Sequence, residues 1–204
     1  RYLLANKIPM LMRQARLVIA GNDYIAEHAR LADAEEVTII PTAVDLRRYA
    51  PVKFKHQGFT IGWIGSRITA PYLDIIRPAL QYLAGTGPLK LKVIGAAAPC
   101  WPGVLVEAGL WSEASEAHEI GDFDVGVMPL LDEPWERGKC GYKLIQYMAA
   151  GKPVVASPVG VNQSIIESGT EFVLAFSIDE WANALQTLRS NASLRQAMGE
   201  AGRL

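Results

Sequence analysis

The chain has 204 residues, half of them apolar and a fifth charged, enough for one large domain or slightly more with a sizeable core. That balance excludes a disordered tail and a disulfide-stapled miniprotein. Against 21 Asp and Glu stand 20 Lys and Arg, a formal charge of -1, so no global basic field exists to hold a nucleic-acid backbone.

In chain order, short β-branched runs alternate with longer stretches whose apolar residues recur at three and four. Strands are predicted over residues 17–20, 37–40, 59–64, 89–94, 104–107, 123–128, 153–156 and 172–175. Most are continuous apolar runs, the signature of strands buried on both faces, so the fold class is α/β: a Rossmann-like parallel sheet with helices on both faces. Residues 69–84 read as one helix with Leu73, Ile76, Leu80 and Leu83 on a single side, Thr69 as its cap and Pro78 as an awkward interior point. Two terminal helices, 178–189 and 194–202, close the chain with apolar stripes that include Trp181, Leu185 and Met198.

A boundary falls near residue 50, where Tyr49-Ala50-Pro51 leads into a polar run. Residues 1–50 hold too few elements to cover a sheet and read as the tail of a larger domain plus a linker; residues 51–204 form the main domain. The Arg at position 1 and the helical sequence at Leu204 fit a fragment. No apolar run approaches the roughly 20 residues of a membrane helix, and the opening stretch is broken by Lys7, Pro9, Arg13 and Arg16. This cationic helix reads first as part of the larger domain and second as a peripheral membrane contact.

Cys100 and Cys140 form no Cys-x-x-Cys and have no His pair nearby, which argues against a disulfide framework and a zinc site and makes a reducing cytosol the expected compartment. His28, His56 and His118 are scattered singly. Trp63, Trp101, Trp111 and Trp135 could stack on a base or sugar, with wall or core packing the plainer role for each.

Two segments carry chemistry. The run Gly62-Trp63-Ile64-Gly65-Ser66-Arg67 ends a strand in a glycine turn, and at the carboxyl edge of a parallel sheet such a turn lets a phosphate approach bare amides. The run from Arg137 through Lys139, Gly141, Tyr142 and Lys143 opens a helix. Its free amides, the positive end of the helix dipole and its cations make an anion site suited to a diphosphate.

The stretch from Lys143 through Gln146, Met148, Gly151 and Pro153 to Ser157 and Gly160 resembles the retaining group-1 glycosyltransferases of the GT-B fold. Residues 40–51, with Pro41, Val44, Asp45, Tyr49 and Pro51, resemble that family's interdomain stretch; residues 123–130 resemble its strand into the donor site, and residues 194–203 its C-terminal helix. The resemblance implies a nucleotide-sugar donor domain preceded by the last elements of an acceptor-side domain. It implies transfer with retention to a hydroxyl on a glycan or lipid-linked glycan, with no metal and no cofactor besides the donor substrate, at the cytoplasmic side. Carried over by position, Gly65 and Ser66 face the donor phosphates, and Gly141, Tyr142 and Lys143 cradle the diphosphate.

The departures are informative. Where the family has Glu-x7-Glu, this chain has Gly138 and Gln146. Gln146 keeps hydrogen-bonding capacity toward ribose, and Glu136 is the residue chosen for the sugar side, with Asp132 and Glu133 as neighbours. Arg67 stands where the family has Arg, but Pro71 and Tyr72 fall where a Lys is usual, and Lys139 is placed to take over that charge. The alternatives are a noncatalytic nucleotide-binding or regulatory domain and a nucleotide-sugar epimerase of similar architecture.

Overall fold

In the computed structural model, which describes residues 6–50, 58–167 and 172–203, the chain opens with helix, strand, helix, strand, the two strands falling within the predicted runs 17–20 and 37–40. Helix α1 (Lys7–Gln14), strand β1 (Val18–Ala20), helix α2 (Asp23–Leu31) and strand β2 (Val37–Ile39) form a unit in which β1 and β2 pair in parallel. Asn22 caps α2, its Oδ1 accepting from the Ile25 amide at 2.8 Å. A 3-10 turn over Leu46–Arg48 then delivers the buried Tyr49. Pro51, His56 and the polar run after residue 52 lie outside the described residues.

The second unit is built on six parallel strands: β3 (Phe59–Ile64), β4 (Leu89–Ile94), β5 (Leu105–Gly109), β6 (Val125–Met128), β7 (Val154–Ala156) and β8 (Phe172–Leu174). Their order across the sheet is β5-β4-β3-β6-β7-β8. Between them run α3 (Arg77–Thr86), α4 (Glu116–Gly121), α5 (Pro134–Arg137), α6 (Tyr142–Ala149), α7 (Val161–Glu167), α8 (Ile178–Ser190) and α9 (Ala192–Ala201). Among the described residues no helix is long and apolar enough to cross a membrane.

Side chains alternate across the sheet. Ile61, Trp63, Leu91, Val93, Val125 and Val127 pack on one face with Leu80 and Leu83 of α3 and Trp181, Leu185 and Leu188 of α8. Ile64, Ile94, Met128 and Ala156 pack on the other with Ile120 of α4 and Leu144 and Tyr147 of α6. Both faces being covered explains why the strands read as unbroken apolar runs. On the second face two strand positions are glycines because rings fill the space: a Cβ at Gly62 would lie 2.0 Å from the Phe123 ring, and one at Gly126 2.3 Å from the Tyr147 ring. The Tyr147 hydroxyl accepts from the Ile64 amide at 3.0 Å, which fastens α6 over the carboxyl end of β3.

The single helix predicted over 69–84 is two. Ala70–Ile75 is 3-10, and α3 begins afresh with Pro78 in its first turn, where the missing N–H leaves no bond unmade. Thr69 caps nothing; its hydroxyl bonds Ser66 instead. Strand β5 lies one residue later than predicted and runs two further, because as a largely exposed edge strand it carries a weak apolar signal.

Candidate functional site

The strand order reverses between β3 and β6. Connections that leave in opposite directions from such a point open a crevice at the carboxyl ends of the strands. Here the crevice is a cavity of about 360 Å³. Its floor is Ile64, Gly65 and Ser66 after β3 and Gly95 after β4; Trp111 and Glu116 form one wall, and Tyr142, Lys143 and Gln146 of α6 the other.

The floor is bare backbone by construction. The Gly65 amide donates to the Ile94 carbonyl at 2.9 Å. A Cβ at Gly65 would sit 2.5 Å from the Trp63 ring, and one at Gly95, which has φ +86°, 2.4 Å from the Gly65 carbonyl oxygen. No side chain fits at either position, so the two strand ends meet through main chain alone.

Helix α6 starts at Gly141, left-handed with φ +67° and so close to α7 that a Cβ would lie 2.6 Å from Ile165 Cδ1. No side chain caps the helix. Its first amides and the positive end of its dipole are therefore left beside the cavity that Tyr142 and Lys143 line. The Lys143 ammonium stands 4.9 Å from the centre of the Trp63 ring. Among the described residues no carboxylate comes within ion-pairing distance of it. Burial, with the Lys139 charge adding to it, pushes the Lys143 pKa down to about 8. A half-buried cation without a counter-charge is the condition an anion relieves.

One turn on, Gln146 is buried and donates from Nε2 to the Tyr49 hydroxyl at 2.9 Å. Tyr49 in turn donates to Glu116 Oε1 at 2.8 Å. Glu116 also accepts from Trp111 Nε1 at 2.8 Å and pairs with Arg48 at 3.3 Å. Burial raises the Tyr49 pKa, with Glu116 adding to the rise against the Gln146 bond, so the hydroxyl keeps its proton.

The neighbouring loop is arranged differently. Lys139 Nζ pairs with buried Glu136 at 3.1 Å and lies 4.5 Å from the centre of the Tyr72 ring. The Tyr72 hydroxyl donates to Glu136 as well. Burial works to raise the Glu136 pKa, but Tyr72 and Lys139 outweigh it and hold the carboxyl below its usual range. Tyr72 is pushed up to about 12 by burial and by that carboxylate. The loop is tied to the first unit: Asn22 Nδ2 donates to the Lys139 carbonyl at 3.0 Å, and a Cβ at Gly21 would meet Cys140 Sγ at 2.4 Å. Cys140 is thus a packed side chain. Among the described residues no group of three or more His, Cys, Asp or Glu is placed to hold a metal ion.

Of the residues predicted from sequence, the structure brings Gly65, Ser66, Tyr142, Lys143 and Gln146 around one cavity, with Gly141 setting the start of its helix. Arg67 is exposed and outside the lining, and Glu136 and Lys139 satisfy each other beside it. Sequence reasoning missed Gly95, Glu116 and the part played by Tyr49. Gly95 could have been found, since it follows its strand as Gly65 follows β3. Glu116 sits in a run with Glu113 and Glu119 that marks none of the three. Trp111 is the one candidate tryptophan that lines the cavity; Trp63 and Trp101 are core, and Trp135 is exposed.

The family model described as glycosyl transferases group 1 matches residues 75–191, more than half of the chain. The chain belongs to the group 1 glycosyl transferases. No curated protein matches this member of the family. Among solved structures it is similar to sucrose-phosphate synthase from Thermosynechococcus elongatus, at 20% identity and a TM-score of 0.74 over 96% of this chain and 54% of that one. It is also similar to HepE from Anabaena in complex with UDP and glucose, at 17% identity and 0.73 over 99% and 62%. A mutant of S. aureus TarM in complex with Fondaparinux, alpha-GlcNAc-glycerol and UDP matches at 16% identity and 0.76 over 97% and 42%. These likenesses show the fold, the α/β arrangement of GT-B glycosyltransferases, and this group 1 glycosyl transferase spans about half the length of the solved structures it matches.

Proposed function

We propose that the cavity at the β3/β6 switch point binds the nucleoside diphosphate of a nucleotide-sugar, and that the chain is the donor half of a glycosyltransferase. The observation that carries this reading is Lys143: half-buried, unpaired among the described residues, and one residue into an uncapped helix whose amides border the same cavity. In this reading the diphosphate lies between Gly65-Ser66 and the start of α6. Negative charge grows on its leaving oxygen as the sugar departs, and Lys143 and the Tyr142 and Lys143 amides meet it. Groups already in place before the reaction lower the barrier without reorganising. Gln146 contacts the ribose. Arg67 acts from the exposed edge, and the Glu136–Lys139 pair shapes the loop nearest the sugar.

Residues 1–50 then belong to the acceptor side and its linker, residues 51–204 to the donor side. The sugar passes to a hydroxyl of a glycan or lipid-linked glycan with retention, a cytoplasmic reaction with α1 as the segment that would touch a membrane. The solved HepE and TarM structures hold UDP, which supports a uridine donor as the first to try.

The test is calorimetric titration with UDP, GDP and ADP and with their glucose or mannose conjugates. Binding of one diphosphate, with an affinity altered by its sugar, is the expected result. Equal affinity for the diphosphate and its conjugates would favour a domain that senses nucleotide alone. Failure of all of them to bind would remove the donor-site reading.

A further inference from the structure

We propose that Glu116 and Tyr49 are positioning residues that fix the polarity of Gln146, so that its carbonyl oxygen Oε1, and not its amide group, is presented to the paired hydroxyls of a bound ribose. The inference rests on the reading of the cavity as a nucleoside diphosphate site.

The two ends of a glutamine amide have the same shape, so chemistry must decide which points where. Glu116 accepts from Trp111 Nε1 on one oxygen and from Tyr49 and Arg48 on the other. Indole and guanidinium groups can only donate, so Glu116 serves as an acceptor at both oxygens. Tyr49 owns one hydroxyl hydrogen, and Glu116 takes it. What the Tyr49 oxygen has left is acceptor capacity. The Gln146 atom 2.9 Å away must therefore be the amide nitrogen, donating.

Gln146 is 2% exposed, too enclosed for the amide to swing freely. Its Oε1 receives no donor among the described residues, and the residue lines the cavity. An oxygen that only accepts suits hydroxyls that donate, and disfavours phosphate oxygens. The wall of α6 is thus graded. Cation and amides stand at its start, and an acceptor follows three residues later, about 4.5 Å along the axis, as a diphosphate joined to a ribose requires.

The same relay accounts for glutamine at a position where the resemblance leads one to expect glutamate. With the Tyr49 hydrogen already engaged by Glu116, a second carboxylate at position 146 would face the lone pairs of the Tyr49 oxygen. Exchanging the two partners reverses the relay: Glu116→Gln supplies the donor to Tyr49 while still accepting from Trp111, Arg48 loses that oxygen and keeps its bonds to Glu113, and Gln146→Glu accepts the Tyr49 hydrogen and offers its other oxygen to the cavity.

The experiment measures affinities of the chain for UDP, GDP and ADP, for their 2′,3′-dideoxy forms and for inorganic pyrophosphate. In the unaltered chain the ribo form of the nucleotide that binds should exceed its dideoxy form by about tenfold, the scale of one or two neutral hydrogen bonds. Tyr49→Phe should collapse that ratio toward one. Gln146→Glu alone should lower it, and Gln146→Glu combined with Glu116→Gln should restore it. Pyrophosphate affinity should stay the same in Tyr49→Phe, which adds no charge to the cavity, and thermal unfolding reports that each variant is folded. Should Tyr49→Phe not fold, the paired exchange decides alone. A ribose preference that survives Tyr49→Phe, or a double exchange no better than Gln146→Glu, would overturn the relay while leaving the diphosphate site standing. If neither pyrophosphate nor any nucleotide bound, the donor-site reading would fall and the relay with it.

Discussion

Lys139 and Lys143 lie four residues apart in one basic segment and look interchangeable in the sequence, yet their surroundings are opposite. Lys139 is engaged, by the Glu136 carboxylate and over the Tyr72 ring, and its loop is held from behind by Asn22. Lys143 stands against the Trp63 ring at a helix start that nothing caps. The first arrangement is finished without a ligand and the second is not. A cation's role is therefore read from what it already touches. The Lys139 charge, which a missing family lysine seemed to call for, is spent on Glu136, whereas Lys143 has no carboxylate partner among the described residues.

The largest expected effect breaks the second arrangement at its hinge. Gly141→Ala imposes a Cβ on a left-handed residue and drives it toward Ile165. It should lower unfolding free energy by about 3 kcal/mol, measured by urea titration, and displace the start of α6 enough to weaken diphosphate binding. Next comes the finished pair. Lys139→Ala leaves buried Glu136 with Tyr72 as its remaining partner and should destabilise the chain by about 2 kcal/mol, readable in the same titration. The double variant Lys139→Ala/Glu136→Gln should recover most of that loss; if it recovers none, the pair is not what holds the loop.

A smaller effect sharpens the contrast through pH. The Lys143 pKa is pushed down to about 8, and a bound diphosphate raises it again, so affinity should fall as pH rises through that value, by up to about tenfold per unit for one coupled proton. In the unliganded chain the sign for stability is the reverse. A depressed folded-state pKa means that the charged form is the one folding penalises, so the contribution of Lys143 is best above its ordinary 10.5 and is lost as pH falls through about 8. Diphosphate titrations and thermal unfolding from about pH 7 to 9.5 should thus move in opposite directions. An affinity flat across that range would mean that Lys143 does not meet the anion.

Much of the frame was legible. Strands 59–64 and 89–94 are found residue for residue because burial on both faces makes continuous apolar runs, ended by Gly65 and Gly95 where the cavity begins. Helix 69–84 was misread because Pro78 was taken as a fault inside one helix; it opens a new one. The cavity was legible wherever its residues are neighbours in the chain, as with Gly65-Ser66 and Tyr142-Lys143. Its other wall was not. Tyr49 meets Gln146 from 97 positions away and Glu116 meets Tyr49 from 67, and no local pattern distinguishes Glu116 from the acids around it. Glu136 was chosen for the sugar side, but the Tyr72 hydroxyl that donates to its carboxylate comes from 64 residues upstream.

The central claim is that the free cation, not the engaged one, holds the diphosphate. The most direct test is calorimetric titration of the nucleoside diphosphate that binds, on the unaltered chain, Lys143→Ala and Lys139→Ala side by side. Lys143→Ala should lose about 1.5 to 3 kcal/mol of binding, the scale of a charged hydrogen bond, with thermal stability unchanged or raised, while Lys139→Ala should change affinity by less than about threefold at temperatures where it remains folded. Equal losses in both variants, or a loss confined to Lys139→Ala, would contradict the account.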